Sequence, residues 1–201
     1  MRALARWVAT ATAVAAIIGV ARQRREALAV RRGELEPASA MADLLPQVEY
    51  GVIAGRIARW TPEATQPVRP GRARLWSAPL TLCGFFVARL GGATPRWDED
   101  HACYVAIGVG GLSRLLLRRV GAHANTIGQV VIITVHHPSA ALVAHEAMHV
   151  RQMERFGPLM PLLYVWMGAL YGYRDNPFEH AARAGARRAV TTNPPDETPP
   201  R

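Results

Sequence analysis

Two histidines and a glutamate stand at a spacing that lets them work together at one metal ion. His145, Glu146 and His149 lie in the segment from Ser139 to Gly157, which is predicted to be a helix. Histidines four residues apart project from the same helix face, so both imidazoles can bind one cation. Glu146 stands beside them without being needed as a ligand, which leaves its carboxylate available as a general base. The pattern predicts a metal-dependent hydrolytic site with Glu146 as the catalytic residue.

A third metal ligand must come from elsewhere in the chain, because a catalytic zinc ion usually takes three protein ligands and leaves the fourth place for water. Glu179 is the preferred candidate. It lies thirty residues after His149, which suits a motif helix, an apolar helix and a third helix that presents Glu179 in its first turn. The alternative is a capping role, because Asn176 and Pro177 before Glu179 form a capping-box pattern.

Other side chains near these two segments could serve the same site. His180 is the alternative metal ligand, because a change of one residue in helix phase would exchange it with Glu179. The remaining substitutes for the third ligand are Asp175, His136 and His137. Four residues are candidates for stabilising the negative charge of a hydrolytic transition state, and the sequence does not rank them: His136, His137, Tyr173 and Arg174.

Sequence patterns also predict the elements that must position these residues. Ser139 is a helix N-cap, and Gly157 with Pro158 ends the helix. The polar stretch Ala93–His101 predicts a loop. The segments between it and the motif helix predict a strand, a helix and a strand, at Tyr104–Val109, Leu112–Val120 and Gln129–Val135. The predicted fold class is α+β, mainly helical, with a small β-sheet preceding the metal-binding helix.

Proline, glycine and arginine concentrate between Thr61 and Arg74 and predict a linker. Ser77 and Pro79 then predict the start of an apolar helix. The predicted organisation has four parts: a helical N-terminal region at 1–60, a linker at 61–76, a metal-binding domain at 77–190 and a disordered tail at 191–201.

The composition argues against a specific nucleic-acid partner in spite of a formal net charge of +9. All 24 basic residues are arginine, and they are spread along the chain without the aromatic-interleaved basic run that stacks bases. We therefore expect no specific nucleic-acid binding. Cys83 and Cys103 each lie in an apolar stretch, which predicts two buried thiols rather than a disulfide framework.

The N-terminus has a basic, then apolar, then basic pattern, with an uncharged run from Trp7 to Ala21. This run is shorter than the roughly 20 residues that a bilayer-spanning helix needs. A retained anchor or an interfacial helix is slightly favoured over a signal peptide or an ordinary packed helix. Membrane association, a cytoplasmic location and secretion all remain open.

The segments His145-Glu146-x-x-His149 and Glu179-x-x-Ala182 resemble the gluzincin clan of zinc metallopeptidases, and within it the small, often membrane-associated peptidases whose second motif is Glu-x-x-Ala-Asp. The chain also resembles short uncharacterised bacterial proteins that carry H-E-x-x-H-x-x-Q and a later Asn-Pro-Phe-Glu. The resemblance covers roughly 104–188. Arg183 stands where those peptidases place an aspartate that orients a ligand histidine, and such partners are typically worth about 10 to 100-fold in metal affinity or activity.

The resemblance implies one zinc ion held by His145, His149 and Glu179, and a peptide or protein substrate cleaved by a water that zinc activates and Glu146 deprotonates. The strand predicted at Gln129–Val135 could bind an extended peptide at its edge. The alternative is a non-enzymatic membrane-associated protein with a structural or vestigial metal site. A basic nucleic-acid-associated protein is a further, weaker alternative.

Overall fold

The computed structural model describes residues 2–36, 49–61 and 70–192. Within these ranges the chain is mainly helical and includes one small sheet, so the predicted α+β class is confirmed. The helices are α1 Arg2–Arg31, α2 Val52–Trp60, α3 Pro70–Leu90, α4 Gly111–Arg119, α5 Ala140–Phe156, α6 Met160–Tyr171 and α7 Pro177–Thr192. The strands are β1 Arg96–Asp98, β2 Cys103–Ile107, β3 Ala124–Ile127 and β4 Val130–Ile133.

The sheet has the order β1-β2-β4-β3. β2 and β4 are parallel, with α4 in the connection between them, while β1 and β3 pair antiparallel at the two edges. Gly128 makes the tight β3–β4 turn with a φ of +63°. A Cβ on Gly128 would lie 2.3 Å from the backbone nitrogen of Thr81 in α3, so this turn accepts only glycine for both conformational and steric reasons.

The strand predicted at Gln129–Val135 is β4, and its expected role as a peptide-binding edge is wrong. β4 lies between β2 and β3, and every one of its side chains is buried. The edge strands are β1 and β3, and β3 is the one that contacts the motif helix. The sequence did not predict β3 because Ala124, Asn125 and Thr126 form no β-branched apolar run. β1 was likewise missed: it occupies three residues of the predicted loop Ala93–His101.

α5 is the central helix and forms as its sequence predicts. The Ser139 hydroxyl accepts a hydrogen bond from the Leu142 amide at 3.2 Å, and Gly157 ends the helix with a φ of +58°. One side of α5 contributes Val150 to a core with β4 and β2. The other side contacts α7, where Gly185 leaves room for the Met148 side chain. α5 is thereby held between the sheet and the helix that carries Glu179.

α3 begins at Pro70, seven residues before the predicted start at Ser77. Ser77 lies inside the helix, where its hydroxyl donates to the Ala73 carbonyl at 2.8 Å. Residues 70–76 of the predicted linker are therefore helical, and residues 62–69 lie outside the described residues. The prediction that both thiols are buried is correct for Cys103 and wrong for Cys83, which is exposed on α3.

The N-terminal helix α1 packs against α6. A Cβ on Gly19 would lie 3.6 Å from the backbone of Gly168, and the Arg22 guanidinium donates to the Leu170 carbonyl at 3.0 Å. In the parts of the chain that the structure describes, no helix combines the length and the hydropathy needed to span a membrane. α7 includes Thr191 and Thr192, while the rest of the predicted disordered tail, 193–201, lies outside the described residues.

Candidate metal centre

His145, His149 and Glu179 converge on one point. The Nε2 atoms of the two histidines are 3.2 Å apart. Oε2 of Glu179 lies 3.3 Å from Nε2 of His145, and Oε1 lies 3.2 Å from Nε2 of His149. Together the three side chains form a cluster that can hold a metal ion.

The fold delivers Glu179 to the histidines through the start of α7. The Asn176 side chain accepts a hydrogen bond from the Phe178 amide at 3.1 Å and caps the helix. Pro177 is the first helical residue, and Phe178 is fully buried in the core. The next side chain, Glu179, then faces α5. Its carboxylate contacts the imidazoles, so the cap is made by Asn176 and not by a reciprocal bond from Glu179.

Gln152 fixes the orientation of the His149 ring. The Gln152 amide nitrogen donates to the Phe178 carbonyl at 2.9 Å, which directs its oxygen to Nδ1 of His149 at 2.8 Å. Nδ1 therefore carries a hydrogen, and in the neutral ring Nε2 presents a lone pair to the cluster. Gln152 is fully buried. Sequence reasoning gave it no role, although it stands one turn after His149 on the same helix face.

Glu179 lies in a buried environment that holds its carboxylate in place. It is only 1% exposed. The Tyr164 hydroxyl donates to Oε1 at 2.7 Å, and the nearby charge of Glu179 raises the pKa of Tyr173. Oε2 has no hydrogen-bond partner among the described residues, although the His145 ring lies beside it. A buried carboxylate oxygen without a partner is costly unless a cation compensates it.

The cluster strongly favours positive charge next to Glu179. Burial alone would raise the pKa of Glu179, but the adjacent His149 and His145 hold it well below its usual range. Burial alone would lower the pKa of His149, but the charge of Glu179 and its hydrogen bond raise that pKa to about 9. The pKa of Tyr164 is raised by burial and by the charge of Glu179. Tyr164 therefore remains a hydroxyl donor at neutral pH.

Glu146 lies beside the cluster and is held by the sheet. Its Oε2 accepts a hydrogen bond from the Thr126 hydroxyl at 2.7 Å, and the same hydroxyl lies 3.2 Å from the Glu146 carbonyl. Glu146 is buried, but it lines the same groove as His145 and His149. Thr126 thus couples the edge strand β3 to the predicted base, a role that the sequence did not indicate because β3 itself was missed.

The other predicted site residues do not join the cluster. His180 lies near Asp175, with 3.7 Å between its Nε2 and Oδ1 of the aspartate, so the alternative ligand points away from the two imidazoles. His136 and His137 are exposed in the loop before α5. Arg174 donates to the Glu36 carbonyl at 2.8 Å. Tyr173 is also outside the cluster, but it lines the groove together with Glu179.

Arg183 does not orient a ligand histidine. One of its guanidinium nitrogens donates to the Arg174 carbonyl, and the other lies 3.8 Å from Oε2 of Glu179. The guanidinium therefore adds positive charge beside the carboxylate in place of the acid that the resembling peptidases have. Histidine orientation is supplied instead by Gln152 from α5.

The cluster forms part of the wall of a groove of about 730 Å³. β3 forms one side of the groove and α4 flanks it, while α6 and the middle of α1 form the opposite side. The apolar lining includes Leu116, Leu117, Met160 and Val165. The groove gives a ligand direct access to the three converging side chains and to Glu146.

Residues 94–157 match the family model of the eCIS core domain. The match covers less than half of the chain, from just before β1 to the end of α5. It contains His145, Glu146 and His149 but ends before Glu179. No curated protein and no solved structure matches the chain.

The description of this family names an eCIS core domain and not a zinc peptidase. The similarity therefore supports the sheet and the motif helix as a unit that other proteins share. The gluzincin resemblance depends on the residues of the cluster and on the geometry described above.

Proposed function

We propose that this protein is a zinc-dependent metallopeptidase in which His145, His149 and Glu179 hold the ion and Glu146 is the general base. The observation that carries the proposal is the convergence of three donor side chains on one point beside a buried glutamate. Two of the donors come from adjacent turns of α5, and the third comes from α7. A groove leads to all four residues.

The donor set fits zinc. In a tetrahedral zinc site with bonds of about 2.0 to 2.1 Å, two donor atoms are about 3.3 to 3.4 Å apart. Here the two Nε2 atoms are 3.2 Å apart, and each lies 3.2 or 3.3 Å from a different carboxylate oxygen of Glu179. The donor atoms are thus close enough together for one ion. Two imidazoles and one carboxylate are also ligand types that catalytic zinc sites use, with a fourth place left for water.

The hydrogen bonds of His149 orient its ring toward Glu179. Because Nδ1 is committed to Gln152, Nε2 of His149 faces the carboxylate oxygen of Glu179 at 3.2 Å. The raised pKa of His149 places a proton in this contact, and zinc would take the place of that proton.

Zinc bound here would supply Lewis acidity, which lowers the pKa of water to about 7 and polarises a peptide carbonyl. Glu146 takes a proton from the attacking water and passes it to the leaving amine. The hydrogen bond from Thr126 holds one carboxylate oxygen of Glu146, so the other oxygen receives the proton. Tyr173 lines the groove and keeps its hydroxyl proton because its pKa is raised, so it is the candidate for donating to the developing oxyanion. The Tyr164 hydroxyl already donates to Glu179.

β3 offers a substrate a ready partner. It is an edge strand that lines the groove, and its outward backbone groups can pair with an extended peptide. An antiparallel arrangement would extend the pattern that β3 already makes with β4. The peptide bond level with Thr126 would then lie next to Glu146.

The first test is metal dependence of peptide cleavage by the purified protein. We expect about one zinc per chain, and cleavage of a mixed peptide library that is abolished by a chelator and restored by stoichiometric zinc. Mass spectrometry of the products identifies the cleaved bonds. One zinc per chain without any cleavage would instead favour the alternative, a protein in which the metal site is structural or vestigial.

Gln152 provides a second test, because it touches His149 but not the ion. In Gln152→Met the side-chain volume is nearly kept while the acceptor for Nδ1 is lost. We expect zinc affinity to fall by about 10 to 100-fold, measured by competition with a chromogenic chelator. Gln152→Glu retains an acceptor for Nδ1 and serves as the matched control with a smaller loss. Equal affinities in the wild type and Gln152→Met would show that Gln152 does not orient the ligand.

A further inference from the structure

The groove that leads to His145, His149 and Glu179, called the metal groove below, continues into a second cleft. This cleft has a volume of about 980 Å³ and lies between the C-terminal half of α1, the end of α4 and the α4–β3 connection. The two spaces share wall residues: Gln23, Arg24, Arg119, Val120, Ala122 and Tyr173. A ligand that lies in the metal groove can therefore extend into the cleft without leaving the protein surface.

The cleft is strongly basic. Its lining includes five arginines and one histidine: Arg24, Arg31, Arg118, Arg119, Arg174 and His123. Glu26 is the one acidic side chain among the described residues that line it. Glu26 is half-buried, and burial raises the pKa of its carboxyl group. Its single negative charge is outnumbered by the five arginines.

We propose that the substrates of this site are peptides with acidic side chains on the carboxyl side of the cleaved bond. The inference rests on the proposed peptidase function and adds a substrate class to it. The arginines of the cleft supply the recognition, because a guanidinium binds a carboxylate with two parallel hydrogen bonds. The exposed arginines also attract an acidic peptide from a distance, and this attraction weakens as salt screens it.

The direction of β3 determines which side of the substrate enters the cleft. β3 runs from Ala124 to Ile127, so the carboxyl end of an antiparallel peptide points toward Ala124 and then past His123. Glu146 is bonded to Thr126, which places the cleaved bond near that residue. The path from Thr126 to His123 is about 10 Å, because each strand residue advances about 3.3 Å. The acidic side chains are therefore expected two to four residues after the cleaved bond.

A peptide fits this surface better than a nucleic acid does. The route to the cleft passes along the backbone edge of β3 and the apolar side chains of Leu116 and Val165, which suit an extended chain with side chains on both faces. Tyr173 is the one phenylalanine, tyrosine or tryptophan among the described residues that line the cleft. Single-stranded nucleic acids depend on a series of such rings for stacking.

The test compares two quenched fluorescent peptides of identical composition, each with one bond that the wild type cleaves. In one peptide a pair of glutamates follows the cleaved bond by three residues, and in the other the pair precedes it by three residues. We expect kcat/KM of zinc-loaded wild type to be about tenfold higher for the first peptide at low ionic strength, with most of the difference lost in high salt.

Arg118→Glu combined with Arg119→Glu should remove this preference, because both side chains are exposed in the last turn of α4 and line the cleft. The matched control is Arg89→Glu, an exposed arginine in the last turn of α3 that lies outside the cleft. The control should keep the preference. Equal kcat/KM for the two peptides, or a preference that survives the double substitution, would overturn the inference and leave the proposed function intact.

Peptide binding to zinc-loaded Glu146→Gln tests the preference for acidic peptides without any hydrolysis. We expect the first peptide to bind about tenfold tighter than a peptide with glutamine in place of both glutamates, as measured by fluorescence anisotropy. If no peptide is cleaved but this difference holds, the peptidase proposal fails while acidic-peptide recognition stands. If a single-stranded oligonucleotide binds more tightly than the acidic peptide, the cleft belongs to nucleic acid and the inference is wrong.

Discussion

Glu146→Gln is expected to reduce kcat by about 10² to 10⁴-fold while the protein keeps its zinc. Glutamine preserves the size of the side chain and can still accept the hydrogen bond from Thr126 at its amide oxygen. It cannot accept a proton from water, and general acid–base catalysis typically contributes this much to rate. Zinc content should not change, because Glu146 is outside the three-ligand set.

The measurement is kcat for the best library peptide, together with zinc per chain by atomic emission. Glu99→Gln is the matched control: it makes the same chemical change at an exposed position in the turn after β1, and it should behave as wild type. If Glu146→Gln retained wild-type kcat at full zinc occupancy, another group would be the base, and the assignment of Glu146 would be withdrawn.

Glu179→Gln should lower zinc affinity by at least about 100-fold, which is more than is expected for a residue that only orients a ligand. The carboxylate is replaced by a neutral amide, so the ion loses both a strong donor and the negative charge that compensates it. This substitution also distinguishes the two roles that the sequence left open for Glu179, a metal ligand and a helix cap. Glutamine serves in a capping box as well as glutamate does, so a residue that only capped α7 would leave zinc affinity unchanged.

His180→Gln is the control for this substitution, because His180 is the neighbouring residue and the alternative ligand. Its ring points toward Asp175, so zinc affinity should stay within about twofold of wild type. His149→Ala should lose the metal as Glu179→Gln does. If Glu179→Gln kept wild-type zinc affinity and His180→Gln lost it, His180 and not Glu179 would be the third ligand.

Sequence reasoning succeeded where one local pattern was sufficient. The bounds of α5 follow from Ser139 and Gly157, and the spacing of His145 and His149 follows from helix geometry alone. The order of α5, α6 and α7 could also be predicted, because the apolar segment between the motif and Glu179 has the length of one helix. The three proposed donors therefore lie together as the sequence predicts.

The sequence was less informative where contacts between distant segments of the chain determine the local structure. β3 has a weak strand pattern, and it forms because β4 offers it a partner and Gly128 closes the turn against α3. Without β3, neither the edge of the sheet nor the contact between Thr126 and Glu146 could be predicted. Gln152 was missed for the same reason, because its role depends on the Phe178 carbonyl of another helix.

The position of the Arg183 side chain could not be predicted from sequence. An arginine in place of an aspartate predicts a weakened site, because the acid was expected to orient a histidine. In the structure the guanidinium lies beside Glu179 instead, and the orienting bond to His149 comes from Gln152. The ring of His149 is thus oriented by Gln152 of the same helix.

The packing of α1 on α6 has a consequence for the width of the entrance to His145, His149 and Glu179. All three donor side chains come from α5 and α7, whereas Val20, Gln23 and Arg24 of α1 form part of the opposite wall. The close approach at Gly19 holds that wall against α6. A shift of α1 along or away from α6 would change the width of the opening through which a bulky substrate must pass. It would leave the donor atoms of His145, His149 and Glu179 in place.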